Sequence, residues 1–248
     1  MARRRFFVDE VRDTEAALRG DDARHLRQVL RAEAGQRYEL CDNRKVYLAE
    51  IGVVAKDLVS FRILEELPAS EPPLRLTLLL SLIKFDRFEW ALEKATELGV
   101  ETVIPVDAAR SEKGLRFAAE KRLERWRKIA LESSQQSRRA RLPNVLPAVA
   151  FEDAAGGARG HRYFLEEESG ARPLLDALPP ERAASDEVAV LVGPEGGWTD
   201  DERALAARAG WSPVTLGPNI LRAETAAVAG LAVLLNAWIP AGSGRSVR

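Results

Sequence analysis

Two glycine-rich segments in the C-terminal third of the chain hold the residues that could build a ligand site. The first reads Val-Gly-Pro-Glu-Gly-Gly at 192–197, and after it Thr199 and Glu202 have the spacing of a helix capping box. The second reads Leu-Gly-Pro-Asn-Ile-Leu-Arg-Ala-Glu-Thr-Ala at 216–226. Glycine lets the backbone approach a ligand closely, and loops between a strand and a helix commonly bind ligands in α/β proteins. The two segments together predict one cofactor pocket.

The spacing of these segments differs from that of the common nucleotide-binding loops. Neither contains the Gly-x-x-x-x-Gly-Lys run that holds a triphosphate or the Gly-x-Gly-x-x-Gly run of a dinucleotide fold. Either segment alone could be a tight turn. Each also holds a carboxylate, Glu195 or Glu224, and the second holds Arg222. This combination is harder to explain by turns alone and favours a cofactor pocket, and the missing runs leave phosphate binding unsupported.

The composition argues against metal and membrane chemistry. With one cysteine, Cys41, the chain has no intramolecular disulfide framework, and with two histidines, His25 and His161, it has few ligands for a metal centre. No stretch reaches the roughly 18 uninterrupted apolar residues of a membrane span, and no signal-peptide pattern opens the sequence. We therefore expect a cytoplasmic protein that uses no metal.

The charges are balanced overall but separated along the chain. The formal net charge is -1, with 37 Lys and Arg against 38 Asp and Glu. Residues 110–141 hold 11 basic and 4 acidic side chains, whereas residues 150–210 hold 6 and 13. Clustered Lys and Arg bind nucleic acid by releasing condensed counterions, which depends on local density. The basic segment is either an RNA-facing surface or a solvated helix face.

A proline-rich segment at 68–73 predicts the boundary between two domains. Before it, the patterns at 37–41, 46–54 and 58–64 predict antiparallel strands of a small β domain at 1–70. That domain has one predicted helix, from Asp21 to Ala32, with Leu26, Val29 and Leu30 on its apolar face and arginines on a neighbouring face.

After the boundary, strands alternate with helices, which is typical of an α/β domain with a largely parallel sheet; we place it at 74–242. Asp86 and Glu89 have the spacing of a capping box for its first helix. A long helix is predicted over 119–140 and a final helix over 224–238. The remaining strands are predicted at 74–83, 100–106, 163–165, 188–192 and 214–216.

Four stretches of the sequence resemble the RsmE family of small-subunit ribosomal RNA methyltransferases, within the SPOUT class. They are His-Leu-Arg-Gln-Val-Leu-Arg at 25–31, Glu-Lys-Ala-Thr-Glu-Leu-Gly-Val at 93–100, and the two glycine-rich segments. The resemblance implies an α/β fold in which a C-terminal SPOUT domain with a trefoil knot follows a small N-terminal PUA-like β-barrel that binds RNA. It also implies a homodimer with S-adenosylmethionine bound at the subunit interface.

The activity that the resemblance implies is methylation of the N3 atom of a specific uridine in 16S ribosomal RNA, either free or in the assembled small ribosomal subunit. Arg222 and Glu224 are the candidate catalytic residues, although a glutamate at that position could instead stabilise the helix N-terminus. The cofactor-binding candidates are Val192, Gly193, Pro194, Glu195, Gly196, Gly197, Leu216, Gly217, Ile220, Leu221, Thr225 and Ala226. The RNA-binding candidates are Arg3, Arg4, Arg5, His25, Arg27, Arg31, Lys84, Arg138, Arg139 and Arg141.

The sequence departs from the family pattern at two places. Asn219 stands where the family often has arginine, and residues 135–139 read Gln-Gln-Ser-Arg-Arg where Glu-Gln-Ser-Gly-Arg is usual. Because cofactor loops say little about the acceptor, two alternatives stay open. One is another SPOUT RNA methyltransferase, acting on a ribose 2′-hydroxyl or another base, and the other is a non-catalytic RNA-binding protein of the same fold.

Overall fold

A computed structural model describes residues 5–69, 72–168 and 170–239. The chain forms two compact units. The first contains the described residues up to 69 together with Leu131–Leu142, and the second contains Pro72–Ala130 and the described residues from Pro143 onward. The segment Leu131–Leu142 therefore belongs to the first unit, although the predicted boundaries assigned it to the second.

The first unit is built on a six-stranded, mostly antiparallel sheet. Its strand order is β1-β4-β5-β6-β3-β2, and the β1–β4 pair is parallel. The elements are β1 (Arg5–Phe7), β2 (Val11–Arg12), β3 (Glu15–Arg19), α1 (Gly20–Gln28), β4 (Arg37–Cys41), β5 (Val46–Val54) and β6 (Leu58–Leu67). The predicted strands at 37–41 and 46–54 are confirmed, and the third extends beyond its predicted end.

Helix α1 is shorter than predicted. It ends at Gln28, and Val29, which was expected on the apolar face, is 64% exposed. Arg31 has a φ of 51°, a left-handed backbone conformation that cannot continue a helix. Leu26 does point into the core of this unit, where it is fully buried.

The second unit is an α/β unit with a parallel sheet of order β10-β8-β7-β13-β11-β14-β12, and β9 pairs with β8. Its strands are β7 (Arg75–Ser81), β8 (Thr102–Asp107), β9 (Asn144–Val145), β10 (Val149–Ala150), β11 (His161–Leu165), β12 (Arg172–Pro173), β13 (Glu187–Val192) and β14 (Ser212–Thr215). Its helices are α2 (Phe85–Glu97), α3 (Leu115–Glu120), α5 (Phe151–Gly157), α6 (Asp200–Arg208) and α7 (Ala223–Trp238), with a 3-10 turn at Leu174–Ala177. Helix α4 (Leu123–Gln136) belongs to this unit up to Ala130 and to the first unit from Leu131 onward.

Both faces of this parallel sheet are buried. Along β13, Val190 packs into a core cluster with residues of α2 and α7, whereas Leu191 packs into a second cluster with residues of α5 and α6. Successive strand side chains point to opposite faces, so two helical layers explain why β7 and β13 are almost uniformly apolar.

Two helix predictions in this unit are wrong. The predicted helix over 119–140 is two helices, α3 and α4, and α4 ends at Gln136. Helix α2 begins at Phe85 without a side-chain cap, so Asp86 and Glu89 do not form a capping box. Glu89 instead forms ion pairs with Arg122 and with Arg125, at 3.0 and 2.8 Å. These contacts join α2 to α4 and its preceding turn.

Candidate functional site

A cavity of about 420 Å³ lies at the carboxyl edge of the parallel sheet, next to the ends of β11, β13 and β14. This volume lies in the range of small-molecule sites, and the carboxyl edge is where open α/β sheets bind ligands. The cavity is lined by Arg87, Leu165, Glu166, Glu167, Val192, Gly193, Pro194, Glu195, Gly197, Trp198, Val214, Thr215, Leu216, Gly217, Pro218, Asn219, Ile220, Leu221, Arg222, Ala223 and Ala226. Both glycine-rich segments therefore border one cavity.

Gly193 lacks a side chain because Trp198 fills the space beside it. A Cβ at position 193 would lie 3.0 Å from Cε2 and 3.1 Å from Nε1 of the indole. The indole cannot move away freely, since Nε1 donates a hydrogen bond to the Leu165 carbonyl at 2.9 Å and the ring stacks on Phe164. Trp198 thus fixes the start of the first glycine-rich segment against the end of β11.

Gly196 and Gly197 turn the chain from β13 toward α6. Gly197 has a φ of 68°, and a Cβ there would stand 2.6 Å from Oε1 of Glu167. The Gly196 carbonyl accepts a hydrogen bond from Nη1 of Arg110 at 2.9 Å. Both glycines are needed, the first for close packing against Arg110 and the second for its backbone conformation.

The predicted capping box at the start of α6 is confirmed. Thr199 Oγ1 accepts a hydrogen bond from the Glu202 amide, and Glu202 Oε2 accepts one from the Thr199 amide at 2.9 Å. The other carboxylate oxygen of Glu202 accepts from the Ala109 amide at 2.8 Å. The buried glutamate therefore holds the helix start and the loop after β8 together.

The second glycine-rich segment forms the opposite wall of the cavity. Gly217 has a φ of 139°, and its carbonyl accepts a hydrogen bond from Thr215 Oγ1 at 2.9 Å. Ile220 is 77% exposed at the cavity, and Arg222 is an exposed residue at the N-cap of α7. The apolar and cationic groups of this wall are therefore open to a ligand.

Most predicted cofactor-binding residues line this cavity, with two exceptions. Gly196 and Thr225 are not among the lining residues. Sequence reasoning missed Arg87, Trp198 and the Glu166–Glu167 pair, which reach the cavity from parts of the chain outside the two glycine-rich segments. An acidic run directly after a predicted strand was the one available signal for Glu166.

Glu166 and Arg203 form a bidentate ion pair beside the cavity. Arg203 Nε lies 2.7 Å from Oε2 and Nη2 lies 3.3 Å from Oε1 of Glu166. Burial alone would raise the pKa of Glu166, but Arg203 and the backbone amides of Glu167 and Glu168 outweigh it, so this pKa is lowered. The carboxylate is ionised at neutral pH and joins α6 to the end of β11.

The two carboxylates of the glycine-rich segments have different positions. Glu195 lines the cavity, whereas Glu224 does not; its side chain is only 13% exposed. Arg87, in the first turn of α2, forms an ion pair with Glu195, and its Nε lies 3.9 Å from Oε1 of Glu224. The prediction that Glu224 acts directly on the substrate does not fit this position.

The predicted RNA-binding residues of the first unit have unequal access to solvent. Arg5 is buried, and it donates to Glu39 at 2.8 Å and to the Arg138 carbonyl. Arg138 also pairs with Glu39, and it has a φ of 58° at the position where the family usually has glycine. These contacts disfavour the predicted RNA contact by Arg5, and Arg138 is already paired in part; both roles stay predictions. Arg3 and Arg4 lie outside the described residues.

The other predicted RNA-binding residues are more open. Arg31, Lys84 and Arg141 are exposed, and His25, Arg27 and Arg139 are half-buried. Arg139 donates from Nε to the Arg141 carbonyl at 3.0 Å. Lys84 belongs to the second unit, at the N-cap of α2, whereas the others belong to the first.

The buried thiol of Cys41 is not a candidate nucleophile. It donates to the Ala140 carbonyl, and burial raises its pKa. Within residues 5–69, 72–168 and 170–239, no group of three or more His, Cys, Asp or Glu side chains could hold a metal ion. Among those same residues, no helix has the length and apolar character needed to cross a bilayer.

The comparison with known proteins accounts for both units. Residues 70–235 match the family model described as "RNA methyltransferase domain", and residues 18–64 match "RNA methyltransferase PUA domain". The ribosomal RNA small subunit methyltransferase E of Mycobacterium bovis is 33% identical, covering 94% of this chain and 92% of that protein. The chain belongs to the ribosomal RNA small subunit methyltransferase E family. The predicted family is thereby confirmed.

Other family members support the same assignment across the whole chain. The Bacillus subtilis methyltransferase E is 30% identical over 88% of each chain. The crystal structure of the Neisseria gonorrhoeae methyltransferase E, bound to S-adenosyl methionine, is 33% identical and superposes with a TM-score of 0.86 over 96% of this chain and 98% of that one. The predicted fold class, a PUA-like unit followed by a SPOUT-type parallel sheet, is confirmed.

Proposed function

We propose that the protein transfers the methyl group of S-adenosylmethionine to the N3 atom of a specific uridine in 16S ribosomal RNA. The observation that carries this proposal is the single cavity bordered by both glycine-rich segments, in a chain of the methyltransferase E family. The solved relative from Neisseria gonorrhoeae binds S-adenosyl methionine. The proposed cofactor site is this cavity.

The lining residues fit that cofactor. Glycine lets the backbone approach a ligand closely, and Gly193 and Gly197 both line the cavity. When bound, S-adenosylmethionine supplies an electrophilic methyl group on a sulfonium. The cavity carries the carboxylates of Glu166, Glu167 and Glu195, which suit the positive sulfonium and amino groups. The backbone of the two segments would hold the adenosine and methionine parts, while the carboxylates provide a negative electrostatic potential around the sulfonium and amino groups.

The residues of this chain also have to manage the charge on the acceptor base. The N3 atom of uracil is protonated at neutral pH, so negative charge develops on the base carbonyls as the proton leaves. Arg222 is exposed at the cavity and is the proposed group that stabilises this charge. Glu224, behind the lining, is proposed to position its neighbours instead of taking the proton.

RNA contact is proposed for the half-buried Arg139 and the exposed Arg141, at the end of the predicted basic segment in the first unit, and for the exposed Lys84 in the second unit. The acceptor is either free 16S ribosomal RNA or the assembled small ribosomal subunit, and both place the protein in the cytoplasm. A homodimer with cofactor sites at the subunit interface is also proposed, on the basis of the family pattern.

The acceptor is tested by mass spectrometry of 16S ribosomal RNA from a strain that lacks the gene. We expect N3-methyluridine to return with the wild-type gene and with Arg208→Ala, a control at an exposed arginine of α6 outside the cavity. Gly193→Val is expected to abolish it. A ribose methyl group or a different methylated base in the complemented strain would replace the proposed acceptor.

Cofactor binding is tested separately by isothermal titration calorimetry of the purified full chain with S-adenosylmethionine. We expect binding by the wild-type protein and by Arg222→Ala, although Arg222→Ala should methylate slowly. If no heat of binding is detected at high micromolar cofactor, the proposed methyltransferase activity is wrong and the non-catalytic RNA-binding alternative remains.

A further inference from the structure

Arg87 reaches the cavity from outside both glycine-rich segments. It lies in the first turn of α2, its side chain is 27% exposed, and it lines the cavity. Helix α2 packs against α7, the helix that follows the second glycine-rich segment. The side chain is therefore held between a helix of the core and the open cavity.

The guanidinium of Arg87 meets one carboxylate from each glycine-rich segment. Its Nη1 forms an ion pair with Glu195, in the first segment, and its Nε lies 3.9 Å from Oε1 of Glu224, in the second. These two glutamates are 29 positions apart in the sequence: Glu195 lies in the loop between β13 and α6, and Glu224 lies in the first turn of α7. One cation thus lies between two loops that have to close on the same ligand.

Glu224 depends on this cation more than Glu195 does. Its side chain is 13% exposed, and within the described part of the chain its buried Oε2 accepts no hydrogen bond. A carboxylate removed from water is strongly destabilised without a nearby positive charge. Arginine suits this position because its guanidinium stays charged and is planar and rigid, so its charge lies at a defined distance from both carboxylates, whereas lysine carries a point charge on a flexible stem.

We propose that Arg87 is a positioning residue for the cofactor, because it fixes the separation of the two glycine-rich segments through Glu195 and Glu224. This inference rests on the proposed S-adenosylmethionine site. Arg87 acts on the ligand through the loops that it holds, so its loss lowers cofactor affinity and leaves the chemical step nearly unchanged once the cofactor is saturating.

The test is a double-mutant cycle on the affinity for S-adenosylmethionine, measured by calorimetry on the full chain. The variants are Arg87→Gln, Glu195→Gln, the double variant and the charge-conserving Arg87→Lys. The matched control is Glu89→Gln, which removes a carboxylate of the same helix that pairs with α4 and does not line the cavity. Thermal unfolding of each variant establishes that it is folded at the assay temperature.

If Arg87 positions both loops, Arg87→Gln raises the Kd about tenfold, within the range of coupled charged pairs. The loss in the double variant is then smaller than the product of the two single losses, because Glu195→Gln removes the partner of Arg87 as well as a cavity carboxylate. Arg87→Lys recovers part of the loss, and Glu89→Gln binds like the wild type. In methyl transfer, the KM for the cofactor rises while kcat stays within about twofold. An unchanged Kd for Arg87→Gln, or losses that multiply in the double variant, would overturn the inference.

The same titrations, with Gly193→Val added to the set of variants, separate this inference from the proposed function. If the wild type does not bind S-adenosylmethionine, or if Gly193→Val binds it equally well, the cofactor site itself is wrong. If the wild type binds, Gly193→Val does not, and Arg87→Gln is silent, the site stands and only the role of Arg87 fails.

Discussion

The packing of Trp198 against Gly193 leads to a quantitative prediction for Gly193→Ala. The added methyl group would lie 3.0 Å from Cε2 of the indole, closer than ordinary van der Waals contact. Relief requires the ring to shift by a few tenths of an ångström. That shift acts against its stacking on Phe164, at 4.6 Å between centroids, and against its hydrogen bond to the Leu165 carbonyl.

The expected destabilisation follows from these contacts. Overpacking in a well-packed core typically costs about 1–3 kcal/mol, and weakening the indole hydrogen bond contributes about 1 kcal/mol within that range. We expect the free energy of unfolding to fall by about 2 kcal/mol, which lowers Tm by roughly 4–8 °C for a unit of this size. The affinity for S-adenosylmethionine should fall as well, because the displaced ring and loop line its proposed site.

Intrinsic fluorescence is a suitable assay because all five tryptophans belong to the second unit. Thermal or urea unfolding followed in this way reports on the unit that carries the cavity. The control is Gly156→Ala, in α5, where a Cβ meets no atom within 4 Å and the glycine lies inside a helix. Alanine there is expected to be neutral or to stabilise by up to about 1 kcal/mol.

The two substitutions thus have opposite expected signs, although each adds one methyl group at a glycine. If Gly193→Ala has the same free energy of unfolding and the same Kd for S-adenosylmethionine as the wild type, the Trp198 indole is not held rigidly beside Gly193. Equal destabilisation by Gly156→Ala would also refute the reasoning, because the effect would then not depend on Trp198.

Two further predictions concern charge. Arg203→Gln should lower the free energy of unfolding of the second unit at pH 7 by about 3 kcal/mol and should reduce its further fall between pH 7 and pH 3. The lowered pKa of Glu166 contributes stability that is present above its unfolded-state pKa and is lost as pH falls through its folded-state pKa, and the variant lacks this contribution. Fluorescence-detected urea unfolding between pH 7 and pH 3 measures both changes, and an unchanged pH profile would contradict the prediction. Replacing both Arg138 and Arg139 by alanine should lower the salt slope of RNA binding by about 0.7, the value for one single-strand phosphate contact, because Arg138 is already paired with Glu39. Filter binding at several salt concentrations tests this, with the Kd for S-adenosylmethionine as the control; a fall of about 1.4 would show that both arginines contact phosphate.

The glycine-rich segments could be predicted from the sequence because local rules determine them. A strand that ends in Gly193, a capping box at Thr199 and Glu202, and a second loop of the same type are all readable over a few residues, and the structure brings them to one cavity. The strands at 37–41 and 46–54 were predictable for the same reason, since alternating burial leaves a short-range pattern.

The charged residues could not be assigned in this way, because their partners are distant in sequence. Glu89 has the spacing of a helix cap, yet it pairs with Arg125, 36 positions away. Arg138 lies in a basic segment, which is typical of RNA-binding surfaces, yet it pairs with Glu39, 99 positions away. A local sequence pattern identifies a charged side chain, but the tertiary fold determines which charged residues lie next to it.

Arg87 shows how this difference bears on function. Nothing in the residues around Arg87 distinguishes it from Lys84, three positions earlier, which is one of the predicted RNA-binding residues. In the structure Lys84 is exposed, whereas Arg87 is half-buried beside Glu195 and Glu224. Lys84 and Arg87 are therefore one helical turn apart, yet Lys84 is exposed to solvent and Arg87 contacts the two glycine-rich segments. Two substitutions test this difference directly. Lys84→Gln should weaken RNA binding and leave the affinity for S-adenosylmethionine unchanged, whereas Arg87→Gln should lower that affinity and leave RNA binding unchanged.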